Sequence, residues 1–563
     1  MTSPGAASTR GEVRLRRPVP AGPAPWNRLA EATGLEPRLA RLAWLRGADS
    51  PGELAWRLDP SWGRARDPYA VEGLGTAVEV LRQAVAGGRR ICIYGDYDVD
   101  GVTATALLVR ALERLGARPD FFIPNRFSDG YGLSLECIRE VRERLAPDLL
   151  VSVDCGIRSA AEVAASRELG LDWIITDHHA PGAELPAARA VVHPALGADP
   201  SPHLAGVGVA FKLAQALLGL ERPGGPDSAF LDGMLKLVAI GTIADMVPLV
   251  GENALLVRRG LLALGGGNGP GLRALLGAAR VEAAPGASDI AFGVAPRLNA
   301  VGRMGGAEDA VRLLLTRDNA EAAVLMGRVE QLNADRRAVQ AELSRTLPAP
   351  GDEAFDLVVD PSAHKGVIGI VAGQRMRLSG RPAAVCTVLD GVAQCSLRAP
   401  EGYDLGALLD LARPYLASGG GHRLAAGMTF QLAKLDFVRR TLVQGAEAQA
   451  GGSPLPGIPV DAFAAAELPG PGALEVLEPW GQGFPVPVAR LEGQLARVPE
   501  TFGGGHLRLR LHGLAEPLAW FSPGAESGVL AAGRSVAFTA TPQDHPRWGR
   551  SWVVGEPLAP RIG

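Results

Sequence analysis

Short apolar runs alternate with amphipathic stretches between about residues 75 and 250, and that alternation predicts a parallel sheet covered by helices. Ile91 to Tyr94, Leu149 to Val153 and Trp173 to Thr176 read as buried strands, with Ala190 to Val192 a fourth that ends at His193-Pro194. Leu107, Leu108, Ala111 and Leu115 share one face of a helix over Thr103 to Leu115. Ser159 to Leu169 reads as another helix, and Leu231 to Ala244 as a mostly apolar, buried one running into Asp245. Ala307 to Leu347 is a long helical segment with one break near Arg317 to Asn319; it ends at Pro348 and suits a connector between domains.

An α/β pattern restarts at about residue 352, with strands at Phe355 to Val359 and Ala383 to Val388 and a helix near Leu405 to Ala417. Gly451 to Pro459 reads as a linker. Beyond it, strand-like segments such as His506 to Leu511 and Ser535 to Ala540, separated by Gly and Pro, fit a small β-barrel. The Pro-, Ala- and Gly-rich start carries Arg10, Arg14, Arg16 and Arg17 and reads as a disordered tail. A chain of 563 residues exceeds what one core supports. The expected division is a tail over 1–25, a first α/β domain with an N-terminal extension over 26–305, and a connector helix over 306–348. A second α/β domain over 349–450 and a β-barrel over 451–563 complete it.

Composition narrows the class. No stretch of about 18 uninterrupted apolar residues occurs, so no membrane span is expected, and the N-terminus lacks the apolar core of a secretory signal. The five cysteines form no Cys-x-x-Cys pair, which argues against a zinc ribbon or a disulfide scaffold and fits a reducing, cytoplasmic setting. A net charge of −3 gives no basic footprint of a bulk nucleic-acid binder, although a groove can still concentrate arginines.

The chemistry lies in three acidic clusters, each following an apolar run: Asp96-Tyr97-Asp98-Val99-Asp100-Gly101, Asp154-Cys155-Gly156 and Asp177-His178-His179. Carboxylates this dense repel one another unless a cation neutralises them, and strand ends are where ligands gather in an open α/β sheet. A lone Asp after a strand is usually a helix cap; three clusters at three strand ends of one sheet point instead to a cage for a pair of divalent metals. Such pairs serve phosphoester hydrolysis. Asp98 and Asp100 could face different metals, Asp154 could bridge them, and the His178 nitrogen tilts preference from Mg²⁺ toward Mn²⁺.

Gly95 to Gly101, Val153 to Gly156 and Thr176 to His179 resemble the first three motifs of the DHH phosphoesterases, and Gly241-Thr242-Ile243-Ala244-Asp245-Met246-Val247-Pro248 resembles the fourth. Leu298-Asn299-Ala300-Val301-Gly302-Arg303-Met304 also matches, and Gly419-Gly420-Gly421-His422-Arg423 resembles the signature of the DHH-associated domain. With Pro479-Trp480-Gly481-Gln482-Gly483 and a β-rich end, the order from about residue 75 onward is similar to that of the family's single-strand-specific exonucleases. The resemblance implies a parallel-sheet DHH domain, a long helix, an α/β DHH-associated domain and an OB-like barrel. It implies 5′→3′ hydrolysis of single-stranded DNA to mononucleotides, in repair and recombination, with two Mn²⁺ or Mg²⁺ ions. Asp96, Asp98, Asp100, Asp154, His178 and Asp245 would be the ligands. Asp98, Asp154 and His179 would carry the chemistry, His179 by holding or polarising the scissile phosphate, and Asp177 would orient the histidines. Arg126, Arg303, Ser396 and Arg398 would hold the 5′-phosphate and backbone, with Gly420, Gly421 and His422 gripping the strand from across the cleft. A single-strand-binding protein and a RecQ-type helicase are the implied partners.

Two departures stand out. Tyr94 occupies the place where many relatives have a metal-binding His, which disfavours a pyrophosphatase, and Phe484-Pro485 replaces a common Asn-Pro at a point expected to be far from the metals. The competing activity is a phosphodiesterase acting on cyclic dinucleotides or short oligonucleotides. Those relatives usually lack the connector and the final barrel, so residues 307–347 and 460–563 favour the exonuclease. A catalytically silent scaffold would have lost acidic motifs that are all present here.

Overall fold

Five parallel strands form the first sheet, in the spatial order Asp120–Phe122, Ile91–Tyr94, Leu149–Val153, Asp172–Thr176, Ala190–Val192. They belong to a computed structural model that describes the chain apart from residues 1–12, 20–22, 126–131, 199–200, 220–227, 282–284, 451–457, 463–466, 504, 522, 524–531, 546–548 and 558–563. The chain leaves Ile91–Tyr94 toward one edge and returns on its other side, so a topological switch point lies between Ile91–Tyr94 and Leu149–Val153. Both faces are covered, which is why these strands read as continuous apolar runs. Ile91, Ile93, Val151 and Val153 share a core with the helices Val99–Arg114, Gly206–Leu218 and Ser228–Asp245. Cys92, Tyr94, Leu150 and Trp173 face the helices Leu135–Arg144 and Ala160–Arg167 on the opposite side.

The expected break in the connector is present. Ala307–Leu315 is one helix and Asn319–Thr346 the next, started by Asp318, whose side chain accepts from the Glu321 N–H. The second domain carries a five-stranded sheet in the order Ser418–Gly421, Ala425–Gln431, Val392–Arg398, Ala383–Leu389, Asp356–Val359, with only the last two parallel. Cys386 and Cys395 stand directly opposite each other in it and form a disulfide. The sequence spacing gave no hint of that bond, because it depends on hairpin register rather than on a Cys motif.

The β-rich C-terminal region is an eight-stranded sheet, and the N-terminus belongs to it. Val13–Leu15, inside the expected tail, pairs in parallel with Ile458–Val460. Ile458 and Pro459, the end of the expected linker, therefore lie in a strand; most of that linker falls outside the described residues. The helices Pro25–Thr33, Pro37–Trp44 and Pro51–Leu58 share their core with Leu474, Leu491, Phe538 and Trp552 rather than with the first sheet. The expected 26–305 unit is corrected to that extent. Apolar residues on these short helices need a partner, and the C-terminal sheet supplies it. Among the described residues no helix is long and apolar enough to cross a membrane.

Candidate metal centre

Each acidic motif begins where a strand of the first sheet ends. Asp98 caps the Val99–Arg114 helix, its Oδ1 accepting from the N–H groups of Asp100 (2.9 Å) and Gly101 (3.1 Å). Asp100 thus sits in the first helical turn rather than in the preceding loop. Its two oxygens accept from the Gly206 and Val207 N–H groups at 2.7 and 2.8 Å, the N-terminus of another helix. Gly101 permits a tight approach, since a Cβ there would lie 2.6 Å from the Asp96 backbone.

Asp154 caps no helix. It is 1% exposed, its backbone is left-handed at φ 64°, and among the described residues neither of its oxygens accepts a hydrogen bond. Strained backbone and a buried, unsatisfied carboxylate are both costly, and together they mark a side chain held for a ligand. Asp245 ends the Ser228–Asp245 helix, where the helix dipole opposes a negative charge. His178 Nε2 lies 3.1 Å from Asp154, 3.6 Å from Asp245 and 3.8 Å from Asp100.

Three overlapping groups result, each with donor atoms within 4.8 Å of one another: Asp96, Asp98 and Asp154; Asp100, His178 and Asp245; Asp154, His178 and His179. Among the described residues only histidines pair with Asp100, Asp154 and Asp245. Electrostatics follow from that crowding. Burial and then the Asp98 charge push Asp100 up to about 7. Burial, Asp100 and Asp98 raise Asp245 to about 9, and burial with the surrounding carboxylates raises Asp154 well above its usual range. Burial and the neighbouring His179 lower His178 to about 3, so it stays a neutral donor. The donor set is hard oxygen with one imidazole, which fits Mn²⁺ or Mg²⁺, and the unsatisfied Asp154 oxygens are what a cation would satisfy.

Asp177 serves differently. Burial works against its charge, but the His179 ring and the N–H groups of Ile157 and His179 hold it at about 2. It fixes His179 through Nδ1 at 2.8 Å, and Asp177 raises the His179 pKa against the effect of burial. His193, at the end of its strand, holds the same loop by a 2.7 Å contact between Nε2 and the His179 carbonyl. The sequence reading missed His193 and the Gly206 and Val207 amides. A His-Pro step at a strand end was the available signal for the first; nothing local marked the other two.

Tyr94 is fully buried on the far side of the sheet, packed on Phe122 and Trp173, away from the acidic groups. Arg126 lies outside the described residues. Ser396 and Arg398 share one strand, Arg398 Nη1 donating to Ser396 Oγ at 3.2 Å, and Arg303 donates to the Gly366 carbonyl, linking the first domain to the second. Gly420 and Gly421 form an exposed edge strand, and every second N–H of an edge strand points away from its neighbour. His422 follows it, and its charge is among the smaller influences that help depress His178. Phe484 stacks on Trp480 in a segment whose Gln482 carbonyl accepts from the Leu249 N–H, four residues past Asp245.

The family models agree with this layout. The N-terminal domain of the DHH family matches residues 90–242, and the DHHA1 domain matches residues 353–447. The single-stranded-DNA-specific exonuclease RecJ of Thermus thermophilus is 39% identical over 513 residues, covering 88% of this chain and 72% of that protein. The protein of the same name from Escherichia coli is 36% identical over 521 residues, covering 84% and 88%. The Bacillus subtilis one is 39% identical over 437 residues, and there the match spans 53% of the relative, about half its length. The crystal structure of Thermus thermophilus RecJ in complex with Mn²⁺ superposes with a TM-score of 0.80 at 33% identity, covering 98% of this chain and 80% of that one.

Proposed function

This chain belongs to the RecJ family of single-stranded-DNA-specific exonucleases, and on that footing we propose that it hydrolyses single-stranded DNA from the 5′ end and releases mononucleotides. The observation that carries the reading is the convergence of Asp96, Asp98, Asp100, Asp154, His178 and Asp245 around carboxylate oxygens of Asp154 that accept no hydrogen bond. Asp96, Asp98 and Asp154 would hold one cation, and Asp100, Asp154, His178 and Asp245 the other, with Asp154 common to both. A bound pair of Mn²⁺ or Mg²⁺ ions activates water and neutralises charge on the phosphate. His179, its ring fixed by Asp177, polarises the scissile phosphate. Ser396, Arg398 and Arg303, with Arg126, hold the terminal phosphate and backbone, and the Gly420, Gly421 and His422 edge grips the strand from the second domain.

Our functional division keeps the connector 306–348, the second domain 349–450 and the C-terminal region 451–563, and moves the helices of residues 25–58 from the 26–305 unit to the last of these. A single-strand-binding protein and a RecQ-type helicase, which expose and present single strands, are the partners we propose, in the cytoplasm. The dinucleotide phosphodiesterase reading has no observation in its favour. A timed digest of end-labelled single strands with Mn²⁺ or Mg²⁺ tests the proposal: label leaves first from the 5′ terminus, and a 3′-first pattern would overturn the direction.

A further inference from the structure

Sheet register sets His193 behind the loop that carries His178 and His179. Strands Asp172–Thr176 and Ala190–Val192 run parallel with Thr176 opposite Val192, and the Asp177 N–H extends the ladder to the Val192 carbonyl at 3.2 Å. His193, the next residue, therefore lies beside that loop. It is fully buried, and its own N–H donates to the Glu72 carbonyl at 3.3 Å. Gly73 packs so tightly against this strand that a Cβ there would lie 1.9 Å from the Val191 carbonyl oxygen. The strand end has little room to shift.

Both ring nitrogens of His193 are engaged by backbone groups, and those partners fix its tautomer. Nε2 lies 2.7 Å from the His179 carbonyl, which only accepts, so Nε2 carries the hydrogen. Nδ1 lies 3.1 Å from the Ala195 nitrogen, whose N–H only donates, so Nδ1 is the acceptor. From the other side, Asp177 Oδ1 accepts from the N–H groups of His178 and His179 at 2.7 and 3.0 Å and from His179 Nδ1 at 2.8 Å. Asp177 thus fixes the amides and the ring, and His193 fixes the carbonyl, which a carboxylate cannot hold. Among the described residues none of the three donor groups includes His193, so it acts on the loop and not on a cation.

We propose that His193 is a positioning residue for His179: it holds the His179 backbone so that the ring fixed by Asp177 meets the scissile phosphate in one orientation. The assignment rests on the role given to His179 in the exonuclease reading. Two substitutions separate the two nitrogens. Gln places its amide nitrogen about as far from Cβ as Nε2 lies and keeps the donor to His179. Asn places its oxygen near the position of Nδ1, so it keeps the Ala195 contact and loses the reach to His179. In the full chain with Mn²⁺, on a long 5′-phosphorylated oligonucleotide, His193→Asn lowers kcat by about 10- to 100-fold, the scale for removing an orienting partner. KM stays unchanged, and His193→Gln restores most of kcat. Mn²⁺ binding, read from the electron paramagnetic resonance of the free ion, is the same in His193→Asn as in the unaltered protein. In a His179→Ala background His193→Asn costs nothing further in single-turnover rate, whereas a merely structural role would cost the same factor in both backgrounds. Unaltered kcat in His193→Asn, no recovery in His193→Gln, weakened Mn²⁺ binding, or the full loss persisting in His179→Ala each overturns the assignment. Failure of the unaltered protein to degrade the long strand would instead remove the exonuclease reading beneath it.

Discussion

Asp154 brings together a left-handed backbone, near-complete burial and two oxygens that accept no hydrogen bond. Asn tolerates that backbone far better than Ala, which loses about 1 kcal/mol in the left-handed region. Asp154→Asn and Asp154→Ala should therefore both abolish cleavage, by at least about 10³-fold on the scale of lost charge stabilisation, while retaining DNA binding in a gel-shift assay. Asp154→Asn should melt at the higher temperature of the two; nuclease activity in either would remove Asp154 from the chemistry. A second consequence concerns the metal-free protein. Asp100 at about 7 and Asp245 at about 9 both lie above their unfolded values. The folded state then binds protons more tightly than the unfolded chain, so stability present at low pH is lost as pH rises through those values. In EDTA the melting temperature should fall between about pH 5 and pH 9, and Mn²⁺ should flatten that slope. An equal slope with and without Mn²⁺ would mean that no cation enters the cluster.

The elements that build the site were partly legible. Strands flanked by Asp, the buried helix ending at Asp245 and the break before Asn319 all carried local signals: apolar runs, periodicity and a cap. The second sheet was less visible, although Asp390-Gly391 between two apolar runs is a strong hairpin signal, and both residues have positive φ. What no pattern could reveal is the docking of the Gly206–Leu218 helix N-terminus onto Asp100, because it joins positions 106 residues apart. That contact is sensitive to a single methyl group. A Cβ at Gly206 would lie 2.5 Å from Asp154 Oδ1 and 2.6 Å from its Cβ. Gly206→Ala should cost about 1–3 kcal/mol from overpacking and displace both acids at once. Activity should drop at least about tenfold at saturating Mn²⁺, with far-UV circular dichroism unchanged; full activity would show that the helix end has slack.

At the scale of the molecule, the N-terminal helices and the C-terminal sheet share one core. Arg46, from the N-terminal helices, makes a bidentate pair with fully buried Asp461 at 2.8 and 3.2 Å, and Asp461 also accepts from Val488 N–H. Arg57 donates to the carbonyls of Leu477, Pro479 and Leu249 and lies 3.4 Å over the Phe484 ring. The Pro479–Gly483 motif is thus a joint: it fastens the C-terminal sheet to Leu249, just past Asp245. Its sequence was recognisable, but its purpose was not, since the Arg partners lie more than 400 residues away. Breaking a buried ion pair strands a charge at about 3–5 kcal/mol, whereas replacing both partners by apolar groups is often neutral. Arg46→Met should lower the melting temperature and expose the N-terminal helices to protease, and Arg46→Met with Asp461→Leu should recover much of the loss. Because the acidic centre hangs on a separate core, dinucleotide turnover should survive in Arg46→Met while affinity for long strands falls. If both substrates suffered equally, the joint would be holding the metal ligands themselves rather than the path that leads to them.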